Sequence, residues 1–317
     1  MNIILLFVCA ILVISPSDLW ASSDVTCEIK GPFRKIDNSY ADIARQTGGQ
    51  VFNLQPDELG KIDLAPLLLL NDSKKKSHNG NIDSGGEGGL GDGGSSGASN
   101  LLDNERGNAY ETYISTFYKH NDSKKLKAEF PVDSTIKKIS IKIDSNKKVK
   151  IYVKDSFGAV ISNSNTKIQQ LSSSCIIISK APKVGDWSIE VDGNGEVEVD
   201  IKALSPIDFS GFKWMRSTIG RHGRMLVQED NPRINNPTFS RSIIYGDEFY
   251  DPNLSFLVKD RYGNIFHQVE VEKSYKDEYF LEKSLPSEEE MYIFAKGKDL
   301  KGNDFIRKYP FTIKVFK

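Results

Sequence analysis

The sequence predicts a mainly β protein: two consecutive β-sandwiches, preceded by a short α/β segment. Three observations predict it. Residues 106–209 carry period-2 alternation in segments that recur about every ten residues, with turn residues between them. Residues 210–317 hold six further candidate strands joined by longer loops. A Gly/Ser-rich tract over 71–105 separates both from what precedes them.

Residues 1–21 read as a signal peptide. "IILLFVCAILVI", residues 3–14, is an uninterrupted apolar run, followed by a polar stretch and "LWASS". The run is too short to span a bilayer but suits a signal core. Cleavage is expected after Ala21 or, alternatively, after Ser23. An uncleaved anchor is the competing reading, which the length disfavours. The mature chain is then secreted, with no membrane span after signal removal. Cys9 leaves with the signal, and Cys27 and Cys175 remain. In an oxidising compartment the two are either a disulfide or, since Cys175 lies in the apolar strand "CIIIS", buried free thiols.

Residues 22–70 predict strand, helix, strand, helix: "DVTCEIKG", "SYADIARQT", "VFNL" and "PDELGKIDLAPLLLL". Gly48 and Gly49 supply the turn into the second strand. Pro56 and Asp57 suit a helix start. Residues 71–105 cannot bury enough apolar surface to offset chain entropy and are expected to be a disordered linker. Asn71, Asn121 and Asn253 each begin an Asn-x-Ser sequon, a glycosylation acceptor in a secreted chain.

In the first predicted sandwich, 106–209, Ile139, Ile141 and Ile143 share one face of "KKISIKID". Val149, Ile151 and Val153 do the same in "KVKIYVKD". Trp187, Ile189 and Val191 follow in "DWSIEVDG", then Val197, Val199 and Ile201. The opposite faces of the first two strands carry Lys138, Lys142, Lys148, Lys150 and Lys154. As neighbours these form either an anionic-ligand patch or a solubilising guard against edge pairing. The second sandwich, 210–317, runs through "RMLVQED", "RSIIYGDEF", "LSFLVKD", "NIFHQVEVEK", "MYIFAKGKD" and "YPFTIKVF". That strand count fits an immunoglobulin-like sandwich. Trp214, between the two units, is expected to wedge them apart.

The composition excludes some classes. Lys plus Arg total 42 against 43 Asp plus Glu, so no global charge argues for nucleic acid. No Ser elbow, zinc-binding helix or phosphate loop is present. The four histidines, His78, His120, His222 and His267, are scattered, and His222 in "GRHGR" has only a basic loop around it. No catalytic residue, metal ligand or cofactor is expected, and the chain is not expected to be an enzyme.

"SYADIARQTGGQVFNL" resembles the last helix and strand of a von Willebrand factor A domain of the hemicentin-related family. "FPVDSTIKKISIKI", "KIYVKDSFGAVI", "APKVGDWSIEV" and "IKALSPIDFSGF" are similar to the galactose-binding-like sandwich that follows the A domain in hemicentins, and to the same region of von Willebrand factor A domain-containing protein 7. "LPSEEEMYIFAKGKDLKGNDFIRKYPFTI" resembles the next, immunoglobulin-like module. The resemblance implies a galactose-binding-like domain over 106–209 and an immunoglobulin-like one over 210–317. Residues 22–70 are then the C-terminal remnant of an A domain. The Asp-x-Ser-x-Ser motif of the A-domain metal site has no counterpart, so its adhesion chemistry is not inherited. Either the chain is a short paralogue or its coding sequence extends upstream. The implied function is that of a matrix or adhesion protein recognising an extracellular protein, with a lectin-like glycan binder as the alternative.

Overall fold

The computed structural model describes residues 26–31, 43, 52, 54–58, 109–119, 125–161, 166–220, 223–229, 238–246, 248–249, 254–260, 262–270, 272–275, 278–283 and 290–313. Residues 1–21, expected to be a signal peptide, the Gly/Ser-rich tract 71–105 expected to be a linker, most of 22–70, His222 and the sequon residues Asn71, Asn121 and Asn253 lie outside these residues.

The first part of the chain forms β1 (Cys27–Ile29), a 3-10 turn (Pro56–Glu58), β2 (Tyr110–Lys119), β3 (Lys125–Val132), β4 (Lys138–Ser145) and β5 (Val149–Lys154). It continues through β6 (Thr166–Gln170), β7 (Ser174–Lys180), β8 (Gly185–Asp192) and β9 (Val197–Ser205). The second part holds β10 (Asp208–Gly220), β11 (Gly223–Glu229), β12 (Thr238–Tyr245), β13 (Ser255–Lys259), β14 (Ile265–Glu270), β15 (Glu272–Tyr275), β16 (Glu278–Lys283), β17 (Tyr292–Lys298) and β18 (Asp304–Lys308).

Three sheets result. A four-stranded sheet has the order β1-β5-β8-β3 and a five-stranded sheet the order β11-β10-β12-β16-β15. The third has nine strands, β14-β13-β17-β18-β2-β9-β4-β7-β6. Half of it closes the first sandwich against the four-stranded sheet, and the other half closes the second against the five-stranded one. The alternation explains the first core. Ile139, Ile141, Ile143, Ile151, Val153, Ile189, Val199 and Ile201 are all fully buried, and Trp187 is nearly so. Trp187 also donates its Nε1–H to the Lys183 carbonyl at 2.8 Å, which satisfies its one polar group. The second core gathers Phe209, Ile244, Phe256, Ile293, Ala295 and Phe305. Trp214 belongs to that core, edge-on to Phe212 at 4.7 Å between centroids, and is not the inter-domain wedge expected of it. Its position on β10 points it into the second sandwich's own interior.

The two sandwiches meet through the pairing of β18 with β2 at Lys308 and Tyr113 and through a buried polar joint. Arg307 on β18 is fully buried, as is Asp133 in the turn after β3. The guanidinium uses all five of its N–H groups. Nε donates to the Ile207 carbonyl at 2.9 Å, and Nη1 to Asp133 Oδ2 at 2.8 Å and the Ile306 carbonyl at 2.9 Å. Nη2 donates to Ser205 Oγ at 2.8 Å and Thr135 Oγ1 at 3.2 Å. Ser205 Oγ also accepts from the Ile207 amide, so its own proton is free for Thr135 Oγ1 at 2.8 Å, and the Thr135 hydroxyl donates onward to Asp133. Beside this joint Asp299 accepts from both the amide and the hydroxyl of Ser134.

The first strand departs from the expected layout. Cys27–Ile29 does not belong to a separate unit. It is the edge strand of the four-stranded sheet, with Cys27, Glu28 and Ile29 opposite Ile151, Lys150 and Val149. A disulfide joins Cys27 to Cys175 on β7, so the two sheets are stapled across the first core. Residues 52 and 54–58 return as a strap over the outer face of β7. Phe52 and Leu54 pack on Leu171, Ile176 and Ile178, an apolar stripe that would otherwise face water. Where "PDEL" predicted a helix start there is a 3-10 turn, and its Glu58 carboxylate fastens the strap. It accepts from the Ser172 amide at 2.6 Å, the Ser172 hydroxyl at 3.0 Å and the Gln55 amide at 2.7 Å. Glu58→Ala is expected to lower stability by about 2 kcal/mol, the scale of a buried charged hydrogen bond lost. Hydrogen exchange at the Ser172 amide should quicken in the variant; an unchanged rate would contradict the fastening role.

Candidate recognition surface

The five lysines, which form one patch only if their strands are neighbours, do not come together. β4 lies in the nine-stranded sheet and β5 in the four-stranded one, because the turn between them carries the chain from one sheet to the other. Lys138 and Lys142 therefore face one side of the sandwich and Lys148, Lys150 and Lys154 the other. Lys138 and Lys142 are also buried, at 5% and 4% exposure. The Lys142 ammonium sits 5.0 Å above the Phe52 ring of the strap and pairs with Asp144. Burial pulls its pKa down, but Asp144 and Asp200 outweigh that and hold it above the ordinary value. On the far side, Lys148 pairs with Glu28 at 3.2 Å and Lys154 with Glu190 at 2.9 Å. An anionic ligand would meet no continuous cationic face.

What the structure does assemble lies at one end of the first sandwich, where the turn after β5 meets the loop before β8. Asp155, Ser156, Phe157 and Gly158 form a tight turn closed by two backbone bonds. The Asp155 amide donates to the Ala159 carbonyl at 2.9 Å, and the Gly158 amide to the Asp155 carbonyl at 2.8 Å. Gly158 has φ 76°, the left-handed conformation that ends such a turn, which favours glycine. The Asp155 carboxylate locks it further, accepting from the amides of Phe157 at 3.0 Å and Ala159 at 3.1 Å. Its other oxygen accepts from Lys183 Nζ at 2.7 Å.

The loop before β8 is fixed equally firmly. The Ala181 amide donates to the Lys137 carbonyl at 2.9 Å while Ala181 holds φ 46°, unusual for a residue with a side chain. Gly185 has φ 123°, and a Cβ there would come within 2.6 Å of Ser156 Cβ, so the two loops touch where only glycine fits. Between them stand Phe157, 78% exposed, and Val184, 41% exposed. The Lys183 ammonium lies 4.8 Å from the Phe157 ring centroid. The result is an apolar knob on a rigid mount with one cation beside it.

Burial of the Asp155 carboxyl pushes its pKa up, but the hydrogen bonds from Lys183 and from the Phe157 and Ala159 amides outweigh this and hold it below the ordinary 3.8. A carboxyl depressed on folding stabilises above its unfolded pKa and loses that contribution as pH falls through its folded pKa. The Phe157 and Ala159 amide resonances are therefore expected to titrate together with a midpoint below 3.8, and Lys183→Ala should move that midpoint upward. Independent titration of the two amides would rule the shared carboxylate out.

The sequence held a signal for this turn. The pattern Lys-Asp-x-x-Gly recurs at 154–158, 259–263 and 298–302. In all three the Asp amide and carbonyl close the same turn, and the Asp carboxylate accepts from the amides two and four residues on. Tyr262 and Leu300, at the other two tips, are also exposed, at 53% and 64%. Among the described residues no group of three or more His, Cys, Asp or Glu is placed to hold a metal ion, and no helix is long and apolar enough to cross a membrane.

The fold defines a mainly β protein of two sandwiches that share the nine-stranded sheet. Residues 114–206, from the middle of β2 to just past β9, match the family model of the hemicentin galactose-binding domain-like, and the chain thus contains a hemicentin-related, galactose-binding-like domain. β1, the strap and the second sandwich lie outside the matched stretch. No curated protein matches the chain. Among solved structures, the propeptide form of a Bacillus licheniformis lipase is 12% identical, covering 62% of this chain and 40% of that one, with a TM-score of 0.29. A Corynebacterium diphtheriae protein described as membrane anchored is 14% identical over 64% of this chain and 54% of its own, with a TM-score of 0.20. The chain thus spans well under two thirds of either, 40% of the first and 54% of the second, and at these TM-scores neither likeness informs fold or activity.

Proposed function

We propose that this is a secreted, non-enzymatic protein of matrix or adhesion type that recognises a protein partner through the end of its galactose-binding-like domain. The observation that carries this reading is Phe157, a large apolar side chain held out at 78% exposure by a turn closed by two backbone hydrogen bonds and by the Asp155 carboxylate accepting from two amides and Lys183. Rigid, exposed aromatic anchors lose little entropy on binding and dominate protein interfaces. The apolar run at 3–14 and a disulfide suited to an oxidising compartment support secretion. In this reading the second sandwich is an immunoglobulin-like spacer, residues 22–70 descend from an A domain, and Asn71, Asn121 and Asn253 carry glycans.

The test is cell adhesion to wells coated with the secreted chain. Adhesion is expected, with sensitivity to protease treatment of the cells and resistance to glycosidases. Phe157→Ala should weaken it at least tenfold while leaving the thermal midpoint unchanged, because so exposed a side chain contributes little to the core. Glycosidase sensitivity, with binding on a glycan array, would replace the protein partner by a sugar. Full adhesion by the Phe157 variant would remove this surface from consideration.

A further inference from the structure

The Cys27–Cys175 disulfide closes a sequence separation of 148 and ties the four-stranded sheet to the nine-stranded one. Both cysteines lie in the first core, at 4% and 0% exposure. A thiol in solution cannot reach either sulfur while the sandwich is closed, and exchange requires access. The bond also decides how tension crosses this unit. Load arriving from the N-terminal side enters at β1, which holds β5 by only three residue pairs. The covalent bond passes that load to Cys175, near the start of β7, and from there it runs through β8 and β9 into the second sandwich. Residues 28–174, which include β2 to β6 and the Phe157 turn, lie on a closed loop outside that route.

We propose that this disulfide is a buried extension stop. Under tension it withholds the closed loop, and it becomes open to thiol–disulfide exchange only after the first sandwich has been pulled apart. In the exchange, a small-molecule dithiol loses a proton and its thiolate attacks one cysteine sulfur. The S–S bond breaks, a mixed disulfide forms, and the second cysteine leaves as a thiolate. The reductant's other thiol then displaces the first cysteine. Two cysteine thiols remain, and the two electrons come from the dithiol, which is oxidised to its own disulfide. The second sandwich holds no counterpart among its described residues, so the stop acts on the galactose-binding-like half alone.

Single-molecule pulling on the secreted chain, tethered at its two ends, tests this without any partner, so its failure is distinct from failure of the adhesion reading. Without thiol, unfolding should release no length from the closed loop. With a dithiol present, a later step of about 500 Å should follow unfolding of the first sandwich, from 148 residues at about 3.4 Å each. Its rate should rise in proportion to dithiol concentration. Release of the whole length without thiol would overturn the proposal. So would loss of the stop after incubating the folded, unloaded protein with the same dithiol. Cys27→Ser should yield the long extension at once; should that variant fail to fold, the comparison of the natural chain with and without dithiol decides alone.

Discussion

Arg307→Met is expected to lower the unfolding free energy by about 3–5 kcal/mol, the scale for breaking a buried ion pair from one side. The cost follows from what is left behind. Asp133 remains as a fully buried carboxylate, and Ser205 Oγ, Thr135 Oγ1 and the Ile207 and Ile306 carbonyls each lose a donor. Arg307→Lys should recover less than half of the loss, because an ammonium has three donors and no planar fork to replace five. The double variant Asp133→Asn, Arg307→Met should be more stable than Arg307→Met alone, since the stranded charge is gone. Urea denaturation measures all three. The joint ties β18 of the second sandwich to the β3–β4 turn of the first, so the same variant should split one cooperative transition into two. A loss under about 1 kcal/mol would show that water already reaches the joint.

Replacing Cys27 and Cys175 together by Ala is expected to cost about 2–5 kcal/mol. In the chain-entropy account the cost is near the top of that range, because the closed loop is long. Local geometry points the same way. β1 has three residues; besides its ladder to β5 it is held by the Thr26 hydroxyl accepting from the Val153 amide at 2.9 Å, the Gly31 amide donating to the Ser172 carbonyl at 2.9 Å, Gln170 Nε2 donating to the Glu28 carbonyl at 2.6 Å and the exposed Lys148–Glu28 pair. A three-residue edge strand is marginal without a staple. In the Ala pair, hydrogen exchange should rise first at Ile151 and Val153, whose neighbours β1 and Thr26 loosen, before the interior of β4 is affected. Uniform protection across β4 and β5, with unchanged denaturation, would show that the ladder holds β1 by itself.

Much of the fold was legible in the sequence because its cause is local. A residue's face on a strand depends only on parity, so Ile139, Ile141, Ile143, Trp187, Ile189 and Val191 could be assigned to the interior before any partner strand was known. Parity also placed Lys138 and Lys142 on the opposite face correctly. It could not say that this face would be buried. At Lys142 that depends on a strap some ninety residues upstream, whose Phe52 lies under its ammonium and, with Leu54, reads as an ordinary strand residue. The condition for a ladder from Lys138 to Lys154, that their strands be neighbours, is unmet for a related reason. Sequence neighbours share a sheet only if the connecting turn keeps them there, and the one between β4 and β5 does not.

The candidate surface around Phe157 was half legible. The repeated Lys-Asp-x-x-Gly pattern marks each turn, and the physical reason is local: an Asp side chain that can reach two amides ahead, and a glycine tolerant of positive φ. Which tip is backed by a second loop is not local. Phe157 acquires Lys183 and Val184 as neighbours because β5 and β8 pair, through Lys154 opposite Ser188, across more than thirty residues of sequence. The sequence by itself determined strand faces, turns and the kinship of the galactose-binding-like stretch. Tertiary structure alone decided the rest: the membership of β1 in that domain, the strap over β7, the continuous nine-stranded sheet and the Arg307 joint. Each of those depends on contacts between residues far apart in sequence, where closing the intervening chain costs entropy that only the assembled core repays.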